Sequence, residues 1–149
     1  MRIFVCFGAI LFAAFASDRP DLSGTWVLDI SHSANAAAKV KAETLSISQK
    51  PDAVQFSEST TESNGKEMKV DIACNIDGQQ CKVKENGQPT EVSFWYNGPM
   101  LVMMEQRHGN DFVTQKKLKP SEDGKTLSME VVYIAPPNHK PETYTFTRQ

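Results

Sequence analysis

The 149-residue chain is poor in the residues that catalytic sites most often need. It has only three histidines, His32, His108 and His139, and all three fall in or beside predicted loops. Nucleophilic catalysis requires a nucleophile with a base in reach, and no serine here stands in a nucleophile-elbow context. We therefore predict no catalytic residues and no cofactor, and an enzyme is the least favoured class of function.

The chain also lacks an excess of positive charge. It carries 16 Lys and Arg against 18 Asp and Glu, a net charge of −2. Nucleic-acid binding depends on clustered basic residues, so we expect no nucleic acid as a partner. The nearest approach to a basic cluster is Lys116, Lys117 and Lys119, which we interpret as a solvated strand face.

No apolar run is long enough to span a bilayer, which takes roughly 20 helical residues. The longest, residues 3–16, follows Met1-Arg2 and ends in Ala14-Phe15-Ala16, the small-x-small pattern that signal peptidase cuts after. We therefore predict a signal peptide over 1–16 and a single domain over 17–149. The protein would be exported, periplasmic or secreted, with no stable membrane anchor after cleavage.

Cysteines are few, and Cys6 would leave with the signal peptide. The remaining pair, Cys74 and Cys81, reads as a disulfide in an oxidising compartment. The two flank a predicted hairpin tip over 75–80, so the bond would link one hairpin and contribute roughly 2–3 kcal/mol. Six intervening residues are not the C-x-x-C spacing of a redox site.

Tight-turn signals, in contrast, are abundant. Asn-Gly, Asp-Gly and Gly-Asn dipeptides supply the positive φ angles of hairpin turns, and they recur about every 9–14 residues. They stand at 64–65, 77–78, 86–87, 97–98, 109–110 and 123–124. This spacing predicts a chain of antiparallel hairpins.

The segments between the turns alternate apolar and polar residues, as half-buried strands do. Together with a first strand over 22–30, they predict about ten strands: 44–50, 53–60, 67–74, 80–85, 90–97, 100–108, 112–119, 126–134 and 143–148. A meander of that length closes on itself or leaves exposed edges. We therefore predict an all-β fold, an antiparallel up-and-down meander barrel of about 8–10 strands.

Two segments interrupt the rhythm. Residues 32–42 are rich in alanine, with possible caps at Ser33 or Asn35, and favour a short helix over one barrel mouth, a surface loop being the alternative. Residues 135–141 contain three prolines and cannot continue a strand ladder, so we expect a rim loop there.

Gly24-Thr25-Trp26 on the first strand and Arg148 on the last resemble the calycin superfamily, specifically lipocalin-like domains. The chain is also similar to small exported bacterial lipocalin-like proteins, and ten strands are nearer the fatty-acid-binding branch. The resemblance implies that Gly24, Trp26 and Arg148 close the barrel floor. A cation–π contact between Arg148 and Trp26 would be worth about 1 kcal/mol.

Several large side chains would face the barrel interior and could line an adaptable apolar pocket, or fill a solid core. The pocket candidates are Phe56, Met68, Phe94, Tyr96, Met129 and Tyr133. The leading hypothesis is a non-enzymatic module that takes a small apolar or amphipathic ligand into the barrel.

The alternative is a filled barrel that acts through its surface as a protein-interaction or envelope component. Trp95 lies out of phase with Phe94 and Tyr96 and should face outward, where it could anchor a protein partner. Met100, Met103, Met104 and His108 suggest copper, but Met100 and His108 would lie about 27 Å apart along a strand. We therefore expect no metal site.

Overall fold

In the computed structural model, residues 19–33, 38–85, 87–108, 111–137 and 139–149 are described. They form ten β-strands and one 3₁₀ turn, Ile30–His32. The strands are β1 (Gly24–Leu28), β2 (Val40–Gln49), β3 (Ala53–Glu62), β4 (Glu67–Asn75), β5 (Cys81–Glu85), β6 (Gln88–Asn97), β7 (Met100–Arg107), β8 (Phe112–Pro120), β9 (Thr126–Ala135) and β10 (Glu142–Arg148).

All ten strands belong to one sheet in the order β4-β3-β2-β1-β10-β9-β8-β7-β6-β5, and every ladder is antiparallel. The first and last strands pair with each other, with Trp26 opposite Arg148. The sheet curls into a nearly closed barrel, so the predicted all-β meander is confirmed. Because consecutive strands reverse direction, the hairpin turns alternate between a closed end near Trp26 and an open end near the β3–β4 turn.

The helix predicted over 32–42 is wrong where the structure describes it. The chain makes a 3₁₀ turn at Ile30–His32, capped by the Asp29 carboxylate, and has already entered β2 at Val40. Residues 34–37 lie outside the described residues. Val40 is buried and contributes to the core, and this burial favours a strand at the C-terminal end of the predicted helix. Ile30, the last residue of the strand predicted over 22–30, is instead exposed in the turn.

The disulfide joins Cys74 on β4 to Cys81 on β5. These are the two edge strands of the sheet, and no ladder is formed between them. The bond therefore does not link a hydrogen-bonded hairpin, as the sequence suggested. It holds together the seam where the barrel is not closed by backbone hydrogen bonds, which we call the β4–β5 seam. The loop below it is held by Gly78 N–H, which donates to Phe94 O (2.9 Å).

The half of the interior next to the closed end is solidly packed. Trp26 is fully buried there, its Nε1 donates to Leu22 O (2.9 Å), and the Arg148 guanidinium lies 4.5 Å from the centre of the indole ring. Gly24 has φ +138°, which side chains rarely adopt, and it lies beside that guanidinium. Other members of this core include Leu45, Ile47, Val54, Leu101, Met103, Leu118, Leu127 and Phe146.

Among the described residues, no helix is long and apolar enough to cross a membrane.

Candidate binding chamber

The half of the barrel next to the open end contains a cavity of about 260 Å³, which we call the chamber. Its charged lining comes from Glu43, Glu58, Glu105, Arg107 and Lys116. Its apolar lining includes Met68, Phe112, Met129 and Val131. The barrel is thus packed at one end and hollow at the other.

The chamber adjoins a larger cavity of about 470 Å³ at the open end, which we call the mouth. The chamber and the mouth are neighbours along the barrel, because both are lined by Val40, Thr60, Met68, Tyr133 and Tyr144. A ligand with a compact polar group and a longer apolar part would fit two such neighbouring spaces.

Lys116 lies at the centre of the chamber's charges. Its side chain is only 13% exposed, and its Nζ donates to Glu58 Oε2. Burial alone would lower the pKa of Lys116, but the carboxylates of Glu58, Glu105 and Glu43 outweigh burial and raise it. Lys116 therefore stays charged, and the prediction that it lies on a solvated strand face is wrong. Lys117, the next residue, does face outward and pairs with Glu130 (2.9 Å).

Glu43 is the carboxyl group without a dedicated cation. It is 4% exposed, and among the described residues no hydrogen-bond donor reaches its Oε1. Burial, then the charge of Glu58, and a hydrogen bond to Glu58 raise the pKa of Glu43 to about 8, against the lowering effect of Lys116. Near neutral pH the Glu43 carboxyl therefore keeps a proton.

Arg107 holds two further carboxylates. Its Nε and Nη2 donate to the two oxygens of Glu85 (2.8 and 2.6 Å), and both nitrogens also lie 2.9 Å from Glu105 Oε1. Burial, together with the nearby Glu105, raises the pKa of Glu85 to about 7. Burial also opposes ionisation of Glu105, but Lys116, Glu85 and Arg107 together lower the pKa of that carboxyl. All the donors in these contacts are thus directed at protein carboxylates.

Glu142 forms a separate, satisfied group at the mouth. It accepts hydrogen bonds from Lys39 Nζ and from Tyr144 Oη (2.6 Å). Although burial opposes ionisation, these two donors and Tyr133 lower the pKa of Glu142. Tyr133 also packs against Phe112 and His139, with ring centres 5.8 and 4.9 Å apart. This group fixes the aromatic side chains that line both the chamber and the mouth.

The six pocket candidates from the sequence fall in different places. Met68, Met129 and Tyr133 line the chamber. Phe56 and Phe94 lie against each other in the packed half, with ring centres 6.1 Å apart. Tyr96 is at the closed end, where its hydroxyl donates to Pro20 O (3.3 Å) and Arg19 lies over its ring.

The sequence reasoning missed all of the charged lining. A signal was present, because each charged residue continues the inward phase of its strand. Glu43 is in phase with Leu45, Glu105 with Met103, and Lys116 with Leu118. A charged residue at an inward position of a barrel strand marks a polar interior, and that rule would have located the chamber.

The remaining candidates from the sequence were metal binding, the three histidines and the outward-facing Trp95. Within the described ranges, no three His, Cys, Asp or Glu side chains are arranged to hold a metal ion. His32 pairs with Asp29 at the rim, and His108 lies 3.3 Å from Glu91. Trp95 is half-buried on the outer face of β6, opposite the buried Val102. A protein partner at Trp95 stays a prediction.

The raised pKa of Glu43 has a measurable effect on stability. Glu43 keeps its proton up to about pH 8 in the folded state but loses it near pH 4.5 in the unfolded state. Between these two pH values, Glu43 therefore lowers the free energy of unfolding by about 1.4 kcal/mol for each unit by which the pH rises. Glu43→Gln removes this loss. We expect the variant to gain about 2–3 kcal/mol relative to the wild type between pH 6 and pH 8, measured by urea denaturation.

A matched control for this experiment is Glu130→Gln, which makes the same chemical change on the outer face. Its stability difference from the wild type should stay constant across the same pH range. If the difference between Glu43→Gln and the wild type is equally constant, Glu43 does not carry the buried proton.

Comparison with solved structures shows a calycin-like barrel. A secretory abundant heat-soluble protein of Ramazzottius varieornatus has a TM-score of 0.68 at 10% identity. The match covers 90% of this chain and 100% of that protein. A protein described as the REP1-NXSQ fatty acid transporter has a TM-score of 0.60 at 17% identity, over 86% of this chain and 96% of that one.

A fatty acid binding protein of Schistosoma mansoni, solved in complex with arachidonic acid, has a TM-score of 0.56 at 13% identity. The match covers 86% of this chain and 96% of that protein. No protein-family model and no curated protein sequence matches the chain. At these identities the likeness is one of fold alone.

Proposed function

We propose that this is an exported, non-enzymatic binding protein that takes a small amphipathic ligand into the chamber through the mouth. The observation that carries the proposal is the hollow half of the barrel. A cavity of about 260 Å³ with both apolar and charged lining adjoins an open mouth of about 470 Å³. Ligand sites are concave spaces of this order, mostly apolar with a few convergent polar groups.

Two further observations support it. Solved structures of the same fold include proteins described as a fatty acid transporter and a fatty acid binding protein in complex with arachidonic acid. The apolar residues 3–16, followed by a polar segment, have the pattern of a cleaved export signal, and they lie outside the described residues.

Native mass spectrometry tests the proposal on protein expressed with residues 1–16 and purified without detergent. We expect the mass of a chain that begins near Ser17, with one disulfide, plus a reproducible adduct of small-metabolite or lipid size that is lost on denaturation. A chain that retains residues 1–16 would overturn export. A bare mass, together with failure to bind any added amphiphile, would overturn the binding function.

A further inference from the structure

The carboxyl groups and the cations in and around the chamber are not matched one to one. Lys116 is engaged by Glu58, and Arg107 is engaged by Glu85 and Glu105. Glu43 remains, buried and with an Oε1 atom that meets no donor among the described residues. Carboxyl groups thus outnumber the cations that face them.

The surroundings of Glu43 determine which kind of ligand group could donate a hydrogen bond to its carboxyl group. From β2 it faces Glu58 on β3, Glu105 on β7, Lys116 on β8 and Tyr144 on β10. Arg107 also lines the chamber, but its guanidinium donates to Glu85 and Glu105. The donors on these neighbours are therefore directed at other carboxylates, and the Glu43 side chain, with its buried Oε1, forms part of the chamber wall.

A ligand with a negative group would enter a chamber that already holds an excess of carboxyl groups. It would have to compete with Glu58 for Lys116, or with Glu85 and Glu105 for Arg107. A ligand with a positively charged N–H group would instead bring a cation to this excess of carboxyl groups. It would donate to Glu43 in place of the retained proton, and charge-assisted hydrogen bonds of this kind are among the strongest in proteins.

We propose that the ligand of this chamber is a cationic amphiphile, whose amine donates to the Glu43 carboxylate and whose apolar part lies against Met68, Met129 and Val131. This inference rests on the proposed binding function and adds the charge of the ligand. It reverses the charge of the fatty acids bound by proteins of the same fold.

Three probes of equal chain length test the proposal: octylamine, octanol and octanoate, each titrated into the full mature protein by calorimetry. Octylamine stays protonated below pH 9, since alkyl amines such as the lysine side chain have a pKa of about 10.4. We expect octylamine to bind about tenfold or more tightly than octanol, and octanoate to bind more weakly than octanol.

Binding of octylamine should also release a proton. The affinity is therefore expected to rise about tenfold between pH 7 and pH 9, while octanol binding stays level, because Glu43 must ionise to accept the amine. Titrations in buffers of different ionisation enthalpy measure the released proton directly.

Glu43→Gln identifies the group responsible. This variant should lose the preference for octylamine over octanol and its pH dependence, and its urea denaturation transition shows that it is folded. Glu130→Gln, on the outer face, should bind all three probes unchanged.

The outcomes separate the two proposals. Octanol binding without a preference for octylamine would overturn the cationic ligand and leave the binding function intact. Tightest binding of octanoate would overturn it in favour of an anionic ligand at Lys116 or Arg107. Failure of all three probes to bind would overturn both.

Discussion

Replacing Lys116 with methionine should lower the free energy of unfolding by about 3–5 kcal/mol at neutral pH, because it leaves buried carboxylates without their cation. Methionine has nearly the same length, so the apolar part of the side chain is kept. The same change at Lys117 should cost no more than about 1 kcal/mol, since its pair with Glu130 is on the solvated face. Guanidinium denaturation of the two neighbouring variants measures the difference.

A second substitution shows that charge is the cause. In Lys116→Met with Glu58→Gln, the carboxylate that lost its partner is removed as well, and most of the lost stability should return. Equal small losses for Lys116→Met and Lys117→Met would show that the chamber is well solvated and does not isolate its charges. A large loss of stability that Glu58→Gln does not restore would show that Lys116→Met acts through packing and not through charge.

Replacing Trp26 with alanine should cost about 3–5 kcal/mol, the range for deletion of a fully buried large aromatic side chain. The indole fills the closed end of the barrel, and its Nε1–H satisfies Leu22 O. Arg148, which lies over the ring, would lose its cation–π partner at the same time. The expected result is a large drop in the denaturation midpoint.

The chain's other tryptophan provides the matched control. Trp95 is half-buried on the outer face, so Trp95→Ala removes the same side chain with less burial and should cost less than half as much. Similar losses for the two variants would contradict the closed-end role of Trp26. The Trp95→Ala protein also serves to test whether a protein partner binds at this surface.

The fold was largely predictable because its signals are local. Paired turn residues such as Asp123-Gly124 set the hairpins, and alternation such as Leu127, Met129 and Val131 set the inward face of a strand. The helix prediction over 32–42 is wrong at its described residues, 32–33 and 38–42, for a related reason. Helix propensity is also local, but the state of Val40 is decided by the core into which it packs.

The chamber was not predictable in the same way. An isolated Glu43 or Lys116 gives no sign of burial until the phase of its strand is compared with the apolar residues on either side. Its partners come from strands far apart in the chain, as with Lys116 and Glu58, separated by 58 residues. Which carboxyl group lacks a cation depends on side-chain distances that the barrel alone determines.

The disulfide illustrates a further limit. Its spacing indicated a bond between Cys74 and Cys81, and the structure contains that bond. A short loop between two strands suggested a hairpin, but these two strands do not pair. Only the strand order shows that the bond crosses an unpaired seam.

The pairing of β1 with β10 has a consequence for how the chain reaches this structure. Within β1–β4 and within β5–β10, every strand pairs with its neighbour in sequence, so each group can assemble from local hairpins. Among the described strands, the two groups are joined by ladder hydrogen bonds only between β1 and β10, where Val27 and Thr147 meet across 120 residues. Closing so long a loop is entropically costly and slow, so we expect it to come last. We therefore expect the chamber to be the last part of the molecule to form. During synthesis, a chain whose β10 has not yet left the ribosome would have no complete ligand site.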